Sequence, residues 1–164
     1  MQWALGVDLG TSGPKVGLVG SDGRVLGGAG EPTRLFLLPD GGAEQDPDDW
    51  WRAVTAAAAR VTRQHPEEAS RVTAVGVTSQ WSGTVPIGRD LRPLQRASIW
   101  LDHRGEPQVR RLIGGPLSFS GYGLGKLLRW VRLTGGEPSK SGKDPIAHIL
   151  WLRETRPEVF AAAL

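Results

Sequence analysis

The chain has 164 residues, 39% of them hydrophobic, with seven tryptophans, which is one domain by length and enough apolar side chain for a core of its own. It contains no cysteine, so a disulfide framework and a thiolate metal site are excluded. The pI is near 9.8, yet the net charge is only +3 and bases are interleaved with acids, which predicts a solvated basic face and no nucleic-acid partner, even around Arg104, Arg110, Arg111, Lys126, Arg129 and Arg132.

No apolar run approaches the ~18 residues of a membrane span, and the N-terminus lacks a signal-like basic and apolar stretch. The sequence therefore reads as a soluble, cytoplasmic protein with no membrane partner. Residues 2–9 form a short β run, 15–20 a second, and Ser21-Asp22-Gly23-Arg24 a tight turn into a third, irregular strand from Val25 to about Leu38. These three predict an antiparallel meander. Asp46-Pro47-Asp48-Asp49 is a helix start, with Asp46 as N-cap, proline in the first turn and acids where the helix dipole favours them. Trp50, Val54, Ala57, Ala58 and Val61 recur at helical spacing, and Pro66 stops that helix after about His65.

Val72–Thr78 reads as a strand, followed by Thr84–Ile87 and Ala97–Trp100. Gly105–Ile113 reads as a helix, 114–125 as a loop, 125–133 as a short helix, and 144–155 as a helix with Ile146, Ile149, Leu150 and Trp151 as its apolar stripe. A last turn covers 157–163. The chain then stops on Ala161-Ala162-Ala163-Leu164 without a helix-ending residue, which reads as a break inside a longer protein. Mixed β with interspersed helices predicts an α/β domain.

The first turn, Asp8-Leu9-Gly10-Thr11-Ser12-Gly13-Pro14-Lys15, carries the chemistry. Asp8 stands near the C-terminal end of a strand, where α/β sheets bind ligands. Gly10 and Gly13 let a ligand approach the backbone, successive N–H groups form an anion nest, and Thr11, Ser12 and Lys15 add hydroxyls and a positive charge. Asp8 is suited to Mg²⁺, which takes one or two carboxylates beside phosphates and water. An ordinary glycine-containing hairpin fits the bare pattern equally well.

Other candidates are weaker. Gly136 to Lys143 has the wrong spacing for a P-loop, with Asp144 where Ser or Thr belongs, and Gly121-x-Gly123-x-Gly125 follows no clear strand. His65, His103 and His148 lack ligand spacing and read as surface or polar-core residues. Trp50, Trp130 and Trp151 read as core, whereas Trp81 and Trp100 close strands beside candidate pocket loops and fit pocket or core alike.

Five ordered segments resemble one family. Asp8-x-Gly10-Thr11 with Lys15 is similar to the first phosphate motif of the actin and hexokinase superfold. Glu44-Gln45-Asp46-Pro47 with Trp50, Val75–Gln80 with Gly83 and Val85, Trp100-Leu101-Asp102-His103-Arg104, and Lys143 through Trp151 to Pro157-Glu158-Val159-Phe160 resemble motifs of the FGGY carbohydrate kinases, the xylulokinase-like branch in particular. The resemblance implies a ribonuclease-H-like or actin-like ATPase fold, its mixed sheet built on the N-terminal meander. Residues 1–164 would be an incomplete N-terminal domain, with a second kinase domain further on. It implies ATP-dependent phosphorylation of a sugar or polyol, with ATP and Mg²⁺ as cofactors. Asp8, Gly10, Thr11, Ser12 and Lys15 would hold phosphates and metal. Gln80, Trp81 and Ser82 would contact the sugar, and Asp102 and Arg104 would be substrate contacts or an ion pair shaping the pocket.

Xylulokinases usually carry Met-His where this chain has Trp81-Ser82, so the sugar stays open. The family's proton-accepting aspartate lies beyond the matched part, so the chain alone is expected to show no turnover. The full-length form is compatible with a homodimer. The alternative is a non-catalytic nucleotide- or sugar-binding module derived from such a kinase.

Overall fold

A computed structural model describes residues 1–164. In chain order the elements are β1 (Trp3–Gly10), β2 (Gly13–Gly20), β3 (Val25–Gly30), β4 (Phe36–Leu37), β5 (Ala43–Gln45), α1 (Pro47–Gln64), α2 (Pro66–Ala69), β6 (Val72–Ser79), β7 (Ala97–Ser98), α3 (Glu106–Ile113), β8 (Ser118–Phe119), β9 (Tyr122–Gly123), α4 (Leu124–Thr134), α5 (Pro145–Thr155) and α6 (Pro157–Ala162). They fall into two compact units, residues 1–35 with 45–81, and residues 36–44 with 82–164.

The first unit is a four-stranded sheet in the order β3-β2-β1-β6. β1, β2 and β3 pair antiparallel, as the turn sequences predict, and β6 lies parallel to β1. A parallel neighbour needs a crossover, and α1 supplies it. Alternation along the strands turns Trp3, Val7, Val16 and Leu18 toward α1, where Ala57 and Val61 pack on them. Each fully buried valine or leucine of this layer contributes about 1.5–3 kcal/mol. Helix α1 starts as its sequence predicts: the Asp46 carboxylate accepts from the Asp48 N–H at 2.9 Å. The other face of the sheet is lined by Gly6, Gly17, Gly28 and Gly76, with Asp8, Lys15 and Thr78 at one end of an open trough.

The second unit contains the short sheet β4-β5-β7 and a helical core of Val109, Ile113, Tyr122 and Ala147. The start of α3 sits directly on α5: a Cβ on Gly105 would overlap the Ala147 carbonyl.

Four expectations needed correction. Residues 114–125, read as a loop, hold the antiparallel hairpin β8-β9. The third strand ends at Gly30, because Pro32 lacks an N–H donor for the ladder, and Phe36–Leu37 pairs with β5 in the other sheet. Thr84–Ile87 is not a strand but two isolated bridges, Thr84 to Ser98 and Ile87 to Pro93. On α5 the buried residues are Ala147, His148 and Leu152, while Ile146 and Ile149 are about 40% exposed. The small Ala147 permits the close approach to Gly105, and that contact decides which face turns inward. No helix is long and apolar enough to cross a membrane.

Candidate functional site

Register places the charged residues of the first turn. Asp8 stands directly opposite Lys15 on β2 and beside Thr78 on β6. The Asp8 carboxylate and Lys15 ammonium are 4.0 Å apart, with side chains 51% and 69% exposed. Such a screened pair is worth about 0–1 kcal/mol, so an incoming cation or anion separates it at little cost. Gly13 takes φ of 130°, closing the turn behind Thr11 and Ser12.

β1 and β6 end side by side, and the chain beyond each stays tied to the other. The Gln80 N–H donates to the Leu9 carbonyl at 2.8 Å, and the Thr11 hydroxyl donates to Gln80 Oε1 at 2.9 Å. Behind them lies Gln45, fully buried. Its Nε2 donates to the Thr11 carbonyl at 2.8 Å and to Thr33 Oγ1 at 3.2 Å, and its Oε1 accepts from Gln80 Nε2 at 2.8 Å and Trp50 Nε1 at 3.3 Å. Trp81 follows, 72% exposed, so it is not a core residue.

Within the second unit, Asp102 and Arg104 form a buried ion pair. The guanidinium donates to Asp102 at 2.6 to 3.2 Å and to Glu44 at 2.8 Å, and lies 4.0 Å from the centre of the Trp151 ring. Burial would raise the Asp102 pKa, but the hydrogen bonds and charge of Arg104 outweigh it and hold the carboxyl below its ordinary value. Arg104 is shifted upward in the same way: burial opposes its charge, and Asp102 and Glu44 more than restore it.

His148 completes the cluster. Its Nε2 is 3.2 Å from the Asp102 carbonyl, which can only accept, so Nε2 carries the proton and Nδ1 accepts from the Thr84 hydroxyl at 3.0 Å. Burial lowers the His148 pKa, only partly offset by the Asp102 carbonyl and charge. The unfolded histidine takes up a proton near pH ~6.5 while the folded one resists it, so this contribution is complete above that pH and is lost as pH falls below it. Urea midpoints at pH 7.5 and 5.5 should therefore drop more in the parent chain than in His148→Gln, whose amide can make both bonds without titrating. Equal drops would remove His148 as the cause.

Ser82 has φ of 58°, and its Oγ is buried without a protein hydrogen-bond partner. A strained residue with an unpaired hydroxyl is a common feature of binding sites.

Residues 3–164 match the N-terminal domain of the FGGY family of carbohydrate kinases. The chain belongs to that family. It is 33% identical over 159 residues to a xylulose kinase of Streptomyces coelicolor, covering 96% of this chain and 30% of the relative. It is 32% identical over 137 residues to a xylulose kinase of Escherichia coli, covering 78% and 28%. A solved xylulose kinase from Brucella ovis superposes with a TM-score of 0.85 at 24% identity, over 99% of this chain and 31% of that one. The fold is thus actin-like, and the chain spans less than a third of the length of these relatives.

Asp8, Gly10, Thr11, Lys15 and Gln80 come together in the first unit. Asp102 and Arg104 join in the second, shielded from solvent by their own partners. No cluster of three acidic or histidine side chains could hold a metal. Asp8 alone still suits an ion that draws its remaining ligands from phosphates and water. Of the organising residues, Gln45 stood in the Glu44–Pro47 segment without an individual role, His148 read as a surface or polar-core residue, and Trp151 as core. For Gln45 the available signal was a polar residue beside the α1 N-cap.

Proposed function

We propose that this chain is the N-terminal domain of an ATP-dependent, xylulokinase-like sugar or polyol kinase of the cytoplasm. A further domain of the longer protein would carry the proton-accepting aspartate. The observation that carries this reading is the Thr11–Gln80 hydrogen bond, which joins the phosphate motif to the acceptor loop at the C-terminal ends of two parallel strands. Asp8 holds Mg²⁺ with the phosphates, the Gly10–Ser12 turn and Lys15 take the phosphate oxygens, and Gln80, Trp81 and Ser82 face the sugar. Bound Mg²⁺ supplies charge neutralisation during phosphoryl transfer. Trp81 is exposed enough to stack on a sugar face. Asp102 and Arg104 act as a structural ion pair of the second unit and not as substrate contacts, since both side chains are spent on each other and on Glu44.

The test is ADP release by the full-length protein with D-xylulose, D-gluconate and erythritol as a ketose, a sugar acid and a polyol. Asp8→Asn should lower turnover by about a hundredfold or more, as removal of a transition-state charge partner does, with sugar binding largely intact. Unchanged turnover would remove Asp8 from the mechanism.

A further inference from the structure

Gln45 makes the four side-chain hydrogen bonds described above, and two of its partners leave no choice of direction. The Trp50 indole N–H can only donate, and the Thr11 carbonyl can only accept. The Gln45 amide therefore has one orientation, Oε1 toward Trp50 and Nε2 toward Thr11. That orientation propagates. Gln80 must present Nε2 to Gln45 Oε1, which leaves Gln80 Oε1 to accept the Thr11 hydroxyl proton. Thr11, Gln45 and Gln80 thus close a ring in which each amide fixes the next, and the Trp50 indole and the Thr11 carbonyl together set the sense of the whole ring.

We infer that Gln45 is a positioning residue: it locks the Gln80 side-chain amide in one orientation and ties it to the Gly10–Ser12 turn. The ring leaves one Gln80 N–H and one Gln80 lone pair for a ligand, in fixed directions. Given the proposed kinase function, on which this consequence rests, a hydroxyl bonded to Gln80 is thereby held in register with phosphates bound at the turn. In the absence of Gln45, Gln80 can rotate by half a turn and exchange donor for acceptor toward the sugar.

The experiment uses the full-length protein as wild type, Gln45→Leu and the milder Trp50→Phe, which removes one of the two groups that set the ring's sense and leaves the Thr11 carbonyl in place. Hydrogen–deuterium exchange is read over residues 79–83 without ligand. Kinetics compare phosphorylation of the best acceptor among D-xylulose, D-gluconate and erythritol with acceptor-independent ATP hydrolysis. In Gln45→Leu, exchange over 79–83 should rise and acceptor kcat/KM should fall about tenfold, the weight of a lost hydrogen bond, while ATP hydrolysis stays within about twofold. Trp50→Phe should move both readouts the same way by a smaller factor. Unchanged exchange over 79–83, or a parallel fall in phosphorylation and hydrolysis, overturns the inference. If wild type phosphorylates none of the acceptors, the kinase reading fails, and the exchange result alone decides the role of Gln45.

Discussion

Replacing Arg104 with leucine is expected to destabilise the chain by about 3–5 kcal/mol, a large share of the ~5–15 kcal/mol that holds a typical domain folded. The reason is what the substitution leaves behind. The Asp102 side chain is 2% exposed and that of Glu44 14%, and Arg104 is the cation that both share. Without it, a buried carboxylate must stay charged without a partner or take up a proton, and its pKa would move from below the usual range to above it. Arg104→Lys keeps the charge but cannot reproduce the forked contact with Asp102 or the stacking on Trp151, so it should recover only part of the loss. The double variant Arg104→Met with Asp102→Leu separates the worth of the pair from the cost of breaking it. Well-packed apolar replacements of buried ion pairs are often close to neutral, so the double variant should be more stable than Arg104→Leu. Urea midpoints of the four proteins are the measurement. A double variant no better than the single one would show that the cluster contributes through geometry that apolar side chains cannot restore.

The same cluster shows what could be read in the sequence. Trp100, Asp102 and Arg104 stood out as a motif, and their two-residue spacing already allowed an ion pair. Their burial was not legible, because it depends on Glu44 and Trp151, which are distant in the chain. The meander and α1 were legible because local signals decide them: turn residues for the strands, and Asp46 with Pro47 for the helix start. The face of α5 was misread for the opposite reason. Ile146 and Ile149 are the more hydrophobic choice, yet the inward face was selected by the fit of Ala147 against Gly105 and by the two hydrogen bonds of His148, neither of which has a periodic signature. The glycine turn after β1 was legible from Asp8, Gly10 and Thr11. Its link to Gln80 needed the parallel pairing of β1 with β6, a contact across about seventy residues.

Gly10 and Gly13 flank that turn, and they should respond to alanine in opposite ways. Gly13 takes φ of 130°, which a side chain disfavours, and a Cβ there would overlap the Glu31 carbonyl and come within 2.9 Å of the Pro32 Cα. Both obstacles are backbone, so neither can swing aside. Gly13→Ala should therefore cost about 3 kcal/mol or more and open the Gly10–Gly13 end of the hairpin, carrying Thr11 away from Gln80. At Gly10 the nearest atoms to an added Cβ are the Gly13 carbonyl at 3.5 Å, Lys15 Nζ at 3.8 Å and Asp8 Oδ2 at 4.0 Å, all ordinary contacts, and φ is not positive. Gly10→Ala should stay within about 1 kcal/mol of the parent in stability. Its methyl group, however, would stand beside the Asp8–Lys15 pair, about equally far from both, where phosphate and metal are proposed to sit. Calorimetric titration with Mg-ADP should then show binding weakened about tenfold in the full-length Gly10→Ala protein, the scale of one lost hydrogen bond to a charged group. If Gly10→Ala binds Mg-ADP as well as the parent does, the phosphates do not lie over this turn, and Gly10 serves only to shape the hairpin.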